Sequence, residues 1–239
     1  MKNTLALILV LALIVTGCST KKSEENKIIQ LHKGWEFSES GSDVWRPAGI
    51  PGCVHLDLMK NELIPDPFIN NNEEKVQWVE NSDWTYRTSF TVNDSILSKE
   101  NIELVFEGLD TYAEVLLNGE PVLEVENMFR EWVVPVKPFL KPGKNNLEIK
   151  FLSPVRINAE KASALPYQLP EERAFSRKAP YQFGWDWGPR LVTSGIWRPV
   201  FLRAWNKARV NSIQVTTEEI SENNARITAG LEIQATDYI

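Results

Sequence analysis

The sequence predicts an all-β fold, a sandwich of antiparallel strands. Three observations carry that prediction. Short runs of alternating polar and apolar residues recur along the chain, turn signals built from Gly, Pro and Asn separate them, and no regular helical periodicity intervenes. The balance of 43% hydrophobic and 24% charged residues over 239 positions is that of a globular protein, with chain enough for one large domain or two small ones.

The elements follow in order. Residues 101–106 read Asn-Ile-Glu-Leu-Val-Phe, a strand in which polar and apolar residues alternate. Residues 113–117 form another and run into Asn118-Gly119, a strong hairpin signal, because a type I′ turn needs positive φ at both central residues. Residues 122–125 are the returning strand. Lys141-Pro142-Gly143 is a further turn leading into 147–152, and 196–204 and 209–217 are later strands. Two segments, 54–63 and 73–80, suit one or two helical turns, with Pro65-Asp66-Pro67 forcing extended or turn geometry between them. Residues 153–190 read as a long connection in which five prolines break any regular element; its aromatic content points to function rather than disorder. After Trp205 two strands, 209–217 and 225–235, flank a polar turn and look like the opening hairpin of a second β domain. About 30 residues remain there, against about 100 for a β-sandwich, so the sequence reads as cut short.

The N-terminus is expected to be a targeting segment. After Met1-Lys2, residues 4–15 are almost wholly apolar, about a dozen positions against the ~20 that a membrane span needs, which suits the h-region of a secretory signal peptide. The run ends in Val15-Thr16-Gly17-Cys18, which resembles a bacterial lipobox; the alternative is a plain signal peptide with a chance Cys. The expectation is a lipoprotein signal peptide over 1–17, lipidation and membrane attachment at Cys18, a flexible tether over 18–27, and residence in the periplasm or at the outer membrane. Cys53 is then the sole cysteine of the mature body, expected as a small buried hydrophobe without a disulfide.

Composition narrows the function. A net charge of −6 and a pI near 5.2 argue against a nucleic-acid partner. Two His and no His/Cys ligand spacing imply neither a metal nor another cofactor. Nine Trp is a heavy load, and an indole either fills a core or offers a flat face to a ligand. Trp35, Trp45, Trp78, Trp84 and Trp132 are expected in core or rim packing, His55 and Asp57 as internal hydrogen-bond partners in a rim loop, and Arg130 and Asp110 as a pair across the sheet. Trp185-Asp186-Trp187 stands apart. A pyranose has an apolar C–H face and a rim of hydroxyls; an indole covers the face and a carboxylate accepts from adjacent hydroxyls, and this tripeptide supplies both. On the residues alone, the competing reading packs both indoles in a core while Asp186 caps a turn or pairs with Arg190.

Extended motifs support a resemblance. They include Pro51-Gly52-Cys53-Val54-His55-Leu56-Asp57-Leu58, Ile64-Pro65-Asp66-Pro67-Phe68, Val76-Gln77-Trp78-Val79-Glu80-Asn81 and Asp83-Trp84-Thr85-Tyr86-Arg87. Phe106-Glu107-Gly108-Leu109-Asp110-Thr111-Tyr112-Ala113 and Asn127-Met128-Phe129-Arg130 follow. The most distinctive block runs from Arg177 to Arg190 through Trp185-Asp186-Trp187, and Gly195-Ile196-Trp197 comes after it. Together they resemble the N-terminal sugar-binding domain of β-mannosidases of glycoside hydrolase family 2. The resemblance implies a jelly-roll β-sandwich, galactose-binding-like, over 28–206, and the start of an immunoglobulin-like β domain over 207–239. It implies a β-mannoside oligosaccharide or glycan as partner, and contact of Trp185, Asp186 and Trp187 with the mannose in the first subsite. Retaining catalysis in this family uses two Glu of a (β/α)8 barrel, about 5 Å apart, and such a barrel takes about 250 residues. No Glu of this chain matches those motifs, so no catalytic residue is expected in it. The alternative is a stand-alone carbohydrate-binding lipoprotein.

Overall fold

A computed structural model describes residues 26–236, so the expectations for the signal segment and Cys18 lie outside the described residues. The strands are β1 (Lys27–Gln30), β2 (Glu36–Glu39), β3 (Arg46–Pro47), β4 (Trp84–Val92), β5 (Asn101–Phe106), β6 (Tyr112–Leu117), β7 (Glu120–Glu126) and β8 (Trp132–Pro135). They continue with β9 (Gly143–Leu152), β10 (Phe183–Trp185), β11 (Gly188–Arg190), β12 (Val200–Trp205), β13 (Ala208–Ile220) and β14 (Ala225–Ala235). Two antiparallel sheets face each other as a jelly-roll sandwich, one of four strands ordered β1-β12-β5-β8 and one of six ordered β3-β2-β4-β9-β6-β7. A following two-stranded sheet, β13-β14, stands outside the sandwich. The predicted all-β class is the observed one.

Alternation builds the core. In β4, Trp84, Tyr86, Thr88, Phe90 and Val92 point inward; in β9, Asn145, Leu147, Ile149 and Phe151 do the same. These pack against Ile102, Leu104 and Phe106 of β5 and Val200, Leu202 and Ala204 of β12. Burial of such side chains is worth about 1.5–3 kcal/mol each, so the sandwich is held by its apolar interior without a disulfide. The predicted hairpin between β6 and β7 is present, with Asn118 at φ 55° and Gly119 at φ 88°. The Asn118 amide also donates to Phe139 O and to Asn145 Oδ1, both at 2.8 Å, fixing the turn to the neighbouring loop.

The structure corrects four local expectations. Residues 153–190 contain a helix, Pro154–Ser163, where prolines suggested none. Pro154 sits in its first turn, where no N–H is needed, and the Ser153 hydroxyl accepts from Arg156 N at 3.1 Å as the N-cap. The strand expected at 196–204 begins only at Val200, because Pro199 has no N–H to add to the ladder. Cys53 is half-buried rather than fully enclosed. Asp110 pairs with Lys178 instead of Arg130, whose guanidinium lies 4.8 Å over the Trp132 ring. The helical turns expected near 54–63 and 73–80 are observed as Val54–Lys60 and as Asn72–Val76 followed by a 3₁₀ turn, Gln77–Asn81.

Candidate functional site

β10 and β11 make a small hairpin whose two-residue tip is Asp186-Trp187, with Trp185 opposite Gly188 and Phe183 opposite Arg190. Gly184 holds φ +88°, a conformation an L side chain rarely adopts, and a Cβ there would come within 3.3 Å of the Arg190 Cβ. Gly188 meets no such restriction. The tip stands clear of the core: Trp187 is 83% exposed and Trp185 48%. Asp186 is exposed and makes no hydrogen bond or ion pair among the described residues. The structure therefore brings the three predicted residues together on one projecting turn, and neither indole is buried. Trp185 is the less free of the two, since the Arg173 guanidinium lies 4.9 Å over its ring.

The tip is exposed but its legs are clamped. On the outer leg, Arg190 is fully engaged: Nε and Nη2 reach the Glu80 carboxylate at 2.8–3.1 Å, and Nη2 also meets Glu172 Oε1 at 2.8 Å. Its backbone N donates to Glu73 Oε1 at 2.6 Å, and its carbonyl accepts from Gln77 Nε2 at 2.8 Å. Burial works against the Arg190 charge, but Glu80 and Glu172 outweigh it and raise its pKa. Arg190 is thus unavailable to Asp186. The inner leg is anchored by Met128: its N donates to Arg177 O at 3.0 Å, and Ala179 N donates to its Sδ at 3.0 Å. Trp197 Nε1 closes the same corner by donating to Met128 O at 2.9 Å.

Behind the hairpin lies a buried polar layer that motif reading did not assemble. Lys178, with its side chain 0% exposed, pairs with Asp110 at 2.5 Å. Burial pulls the Lys178 pKa below the usual lysine range, and Asp110 opposes that pull. His55, on the helix Val54–Lys60, is buried, and burial followed by the nearby Lys178 charge lowers its pKa to about 4. Its Nδ1 has no hydrogen-bond partner, so the expected internal bond is not made there. Asp57 does act as expected, accepting from Gly49 N at 2.7 Å and Tyr86 Oη at 2.8 Å. Burial raises its pKa, and those two donors resist the rise. The sequence signal for the layer was a lysine set among aromatic residues and prolines in a connection of an acidic protein.

The jelly-roll sandwich places the chain in a class of β-sandwich domains, and comparison with known proteins supplies its family. The family described as "Glycosyl hydrolase 2 galactose-binding domain-like" matches residues 35–198, and the chain belongs to it. The β-mannosidase of Capra hircus is 32% identical over 222 residues, covering 88% of this chain and 25% of that protein. β-Mannosidase B of Thermothelomyces thermophilus is 37% identical over 220 residues, covering 87% of this chain and 26% of the relative. Among solved structures, the β-D-mannosidase of Dictyoglomus thermophilum superposes with a TM-score of 0.84 at 47% identity, over 88% of this chain and 26% of the other. The chain spans about a quarter of the length of the curated relatives it matches.

Proposed function

We propose that this chain is the N-terminal portion of an exo-acting, retaining β-mannosidase that hydrolyses terminal non-reducing β-D-mannose residues, and that its β10–β11 tip shapes the mannose subsite. The reading is supported by family membership and by the 47% identity to a β-D-mannosidase. The observation that carries it is the tip itself, two exposed indoles flanking a carboxylate with no partner among the described residues. In this reading Trp187 covers the apolar face of the sugar, Asp186 accepts from neighbouring hydroxyls, and Trp185 walls one side under Arg173. The two carboxyl groups of double displacement, one as nucleophile and one as acid/base, come from a barrel beyond the β domains. We further propose that the protein is exported and held at a membrane through lipidated Cys18.

The test is kinetic, on the complete polypeptide that the gene encodes, with p-nitrophenyl β-D-mannopyranoside as substrate. Asp186→Asn removes a charged acceptor worth about 1.5–3 kcal/mol, so kcat/KM is expected to fall roughly 10- to 100-fold. Trp187→Ala is expected to fall comparably, with unfolding midpoints unchanged because neither side chain is packed. Unchanged kcat/KM in both variants would remove the subsite reading. Binding of methyl β-D-mannoside by a polypeptide lacking hydrolysis would favour a carbohydrate-binding lipoprotein instead.

A further inference from the structure

The neck of the β10–β11 hairpin is closed by side chains rather than by a long ladder. Each hairpin strand has only three residues. Below them, Gln182 O accepts from Leu191 N at 2.9 Å, and Gln182 Oε1 accepts from Thr193 N at 3.1 Å. Lys178 Nζ donates across the same gap to Thr193 O at 2.6 Å. Both cross-links then converge on one carboxylate of the sandwich. Asp110 Oδ1 accepts from Lys178 Nζ, and Asp110 Oδ2 accepts from Gln182 Nε2 at 3.0 Å. The Thr111 hydroxyl donates to the same group. The Asp110 backbone exchanges two 2.9 Å hydrogen bonds with Gly195, where the outgoing leg rejoins the sandwich.

A buried ion pair is a poor way to gain stability, since desolvation consumes much of the attraction and an apolar pair often does as well. What charge and directed donors do provide is a single geometry. Here Lys178 and Gln182 each tie the Thr193 backbone to the Asp110 carboxylate, so rotating the hairpin by a few degrees would break several bonds together. We propose that Asp110, Lys178 and Gln182 are positioning residues that fix the aim of the Trp185-Asp186-Trp187 tip from behind, without touching the ligand. This inference rests on the subsite reading of that tip. A sugar subsite needs its groups held to about 0.5 Å, and a projecting two-residue turn has no packing of its own to supply that.

The experiment uses the protein labelled with 5-fluorotryptophan, observed by ¹⁹F NMR, with Trp185→Phe and Trp187→Phe assigning the tip resonances. Lys178→Met and Asp110→Asn are compared with Gln182→Leu, which leaves no unpaired charge and remains informative if the first two fold poorly. The expected result is broadening or doubling of the Trp185 and Trp187 signals in Gln182→Leu, while the core Trp35, Trp84 and Trp205 signals stay in place. The same variant should lower kcat/KM for p-nitrophenyl β-D-mannopyranoside roughly 10- to 100-fold, the scale of a 1 Å misplacement. Sharp, unmoved tip signals in a folded Gln182→Leu protein would overturn the proposal, as would simultaneous shifts of the core indoles, which would make the cluster purely structural. The two readings separate cleanly. Loosened tip signals with unchanged kinetics in Trp187→Ala would sink the subsite reading and keep the neck as the tip's anchor. A kinetic loss in Trp187→Ala with rigid tip signals in Gln182→Leu would do the reverse.

Discussion

His55 is a histidine that the fold keeps neutral. It is 5% exposed, its Nδ1 has no acceptor or donor, and the Lys178 ammonium stands near enough to oppose a second positive charge. Its pKa of about 4 lies below the 6.5 of an unhindered imidazole. The unfolded chain therefore takes up the proton first. The stabilisation is complete above pH 6.5 and is lost as pH falls toward 4, at ~1.4 kcal/mol per unit and ~3 kcal/mol in all. His55→Gln cannot titrate. Urea unfolding measured from pH 7 to pH 4 should show the variant losing ~3 kcal/mol less than the parent protein; parallel curves would contradict this account. His55 was expected inside but with a hydrogen bond that its Nδ1 does not make, and the Asp110–Lys178 pair was not legible in the sequence. Asp110 and Lys178 are 68 positions apart, and Arg130 was the expected partner until topology brought Lys178 to Asp110.

At the scale of elements, alternation and turn chemistry identified strands well, because β6 and β9 each turn one face to a single core and the Asn118-Gly119 turn follows from local φ alone; β5, read from the same alternation, is buried on both faces. The helix Pro154–Ser163 was missed because its start depends on context. A proline reads as a breaker unless the residue before it is a cap, and Ser153 is such a cap with a second duty. Its buried hydroxyl donates to Glu80 O at 2.6 Å while accepting from Arg156 N, and its own N–H donates to Asp83 Oδ1 at 2.7 Å. Glu80 in turn grips Arg190, so one residue links helix start, rim turn and hairpin leg. Ser153→Ala loses the cap and leaves the Glu80 carbonyl short of a donor. The expected cost is about 1–3 kcal/mol, read as a lower urea midpoint at unchanged m-value. The hairpin tip, by contrast, was legible as a candidate site, since three adjacent residues form it. Its exposure was not, because Arg190 was an open partner for Asp186 until Glu80 and Glu172 were seen to occupy it.

Across the whole molecule, stability is distributed unevenly. β4 and β9 lie inside the six-stranded sheet, paired on both sides, with their inner faces in the core. β13 and β14 pair only with each other. Their register sets Ile213 opposite Leu231 and Val215 opposite Ala229, and puts Ile227 on the same face, so that face is apolar and largely exposed. The hairpin joins the sandwich near its base, where Arg209 approaches Glu103 at 3.7 Å and lies 5.7 Å from the Trp205 ring. Two register shifts, at Val210/Ser212 and Thr217/Glu219, weaken the ladder further. A two-stranded hairpin without a packed face is marginal in water, and amide exchange follows local opening rather than global unfolding in such units. In a polypeptide ending at Ile239, hydrogen–deuterium exchange read by mass spectrometry should therefore find the amides of 213–217 and 227–233 exchanging at least ~100-fold faster than those of β4 and β9, a gap of ~2.7 kcal/mol in opening free energy. Protection equal to that of the sandwich would mean that the apolar face of β13–β14 is covered in solution. The hairpin would then belong to a packed layer whose second half this face was shaped to meet.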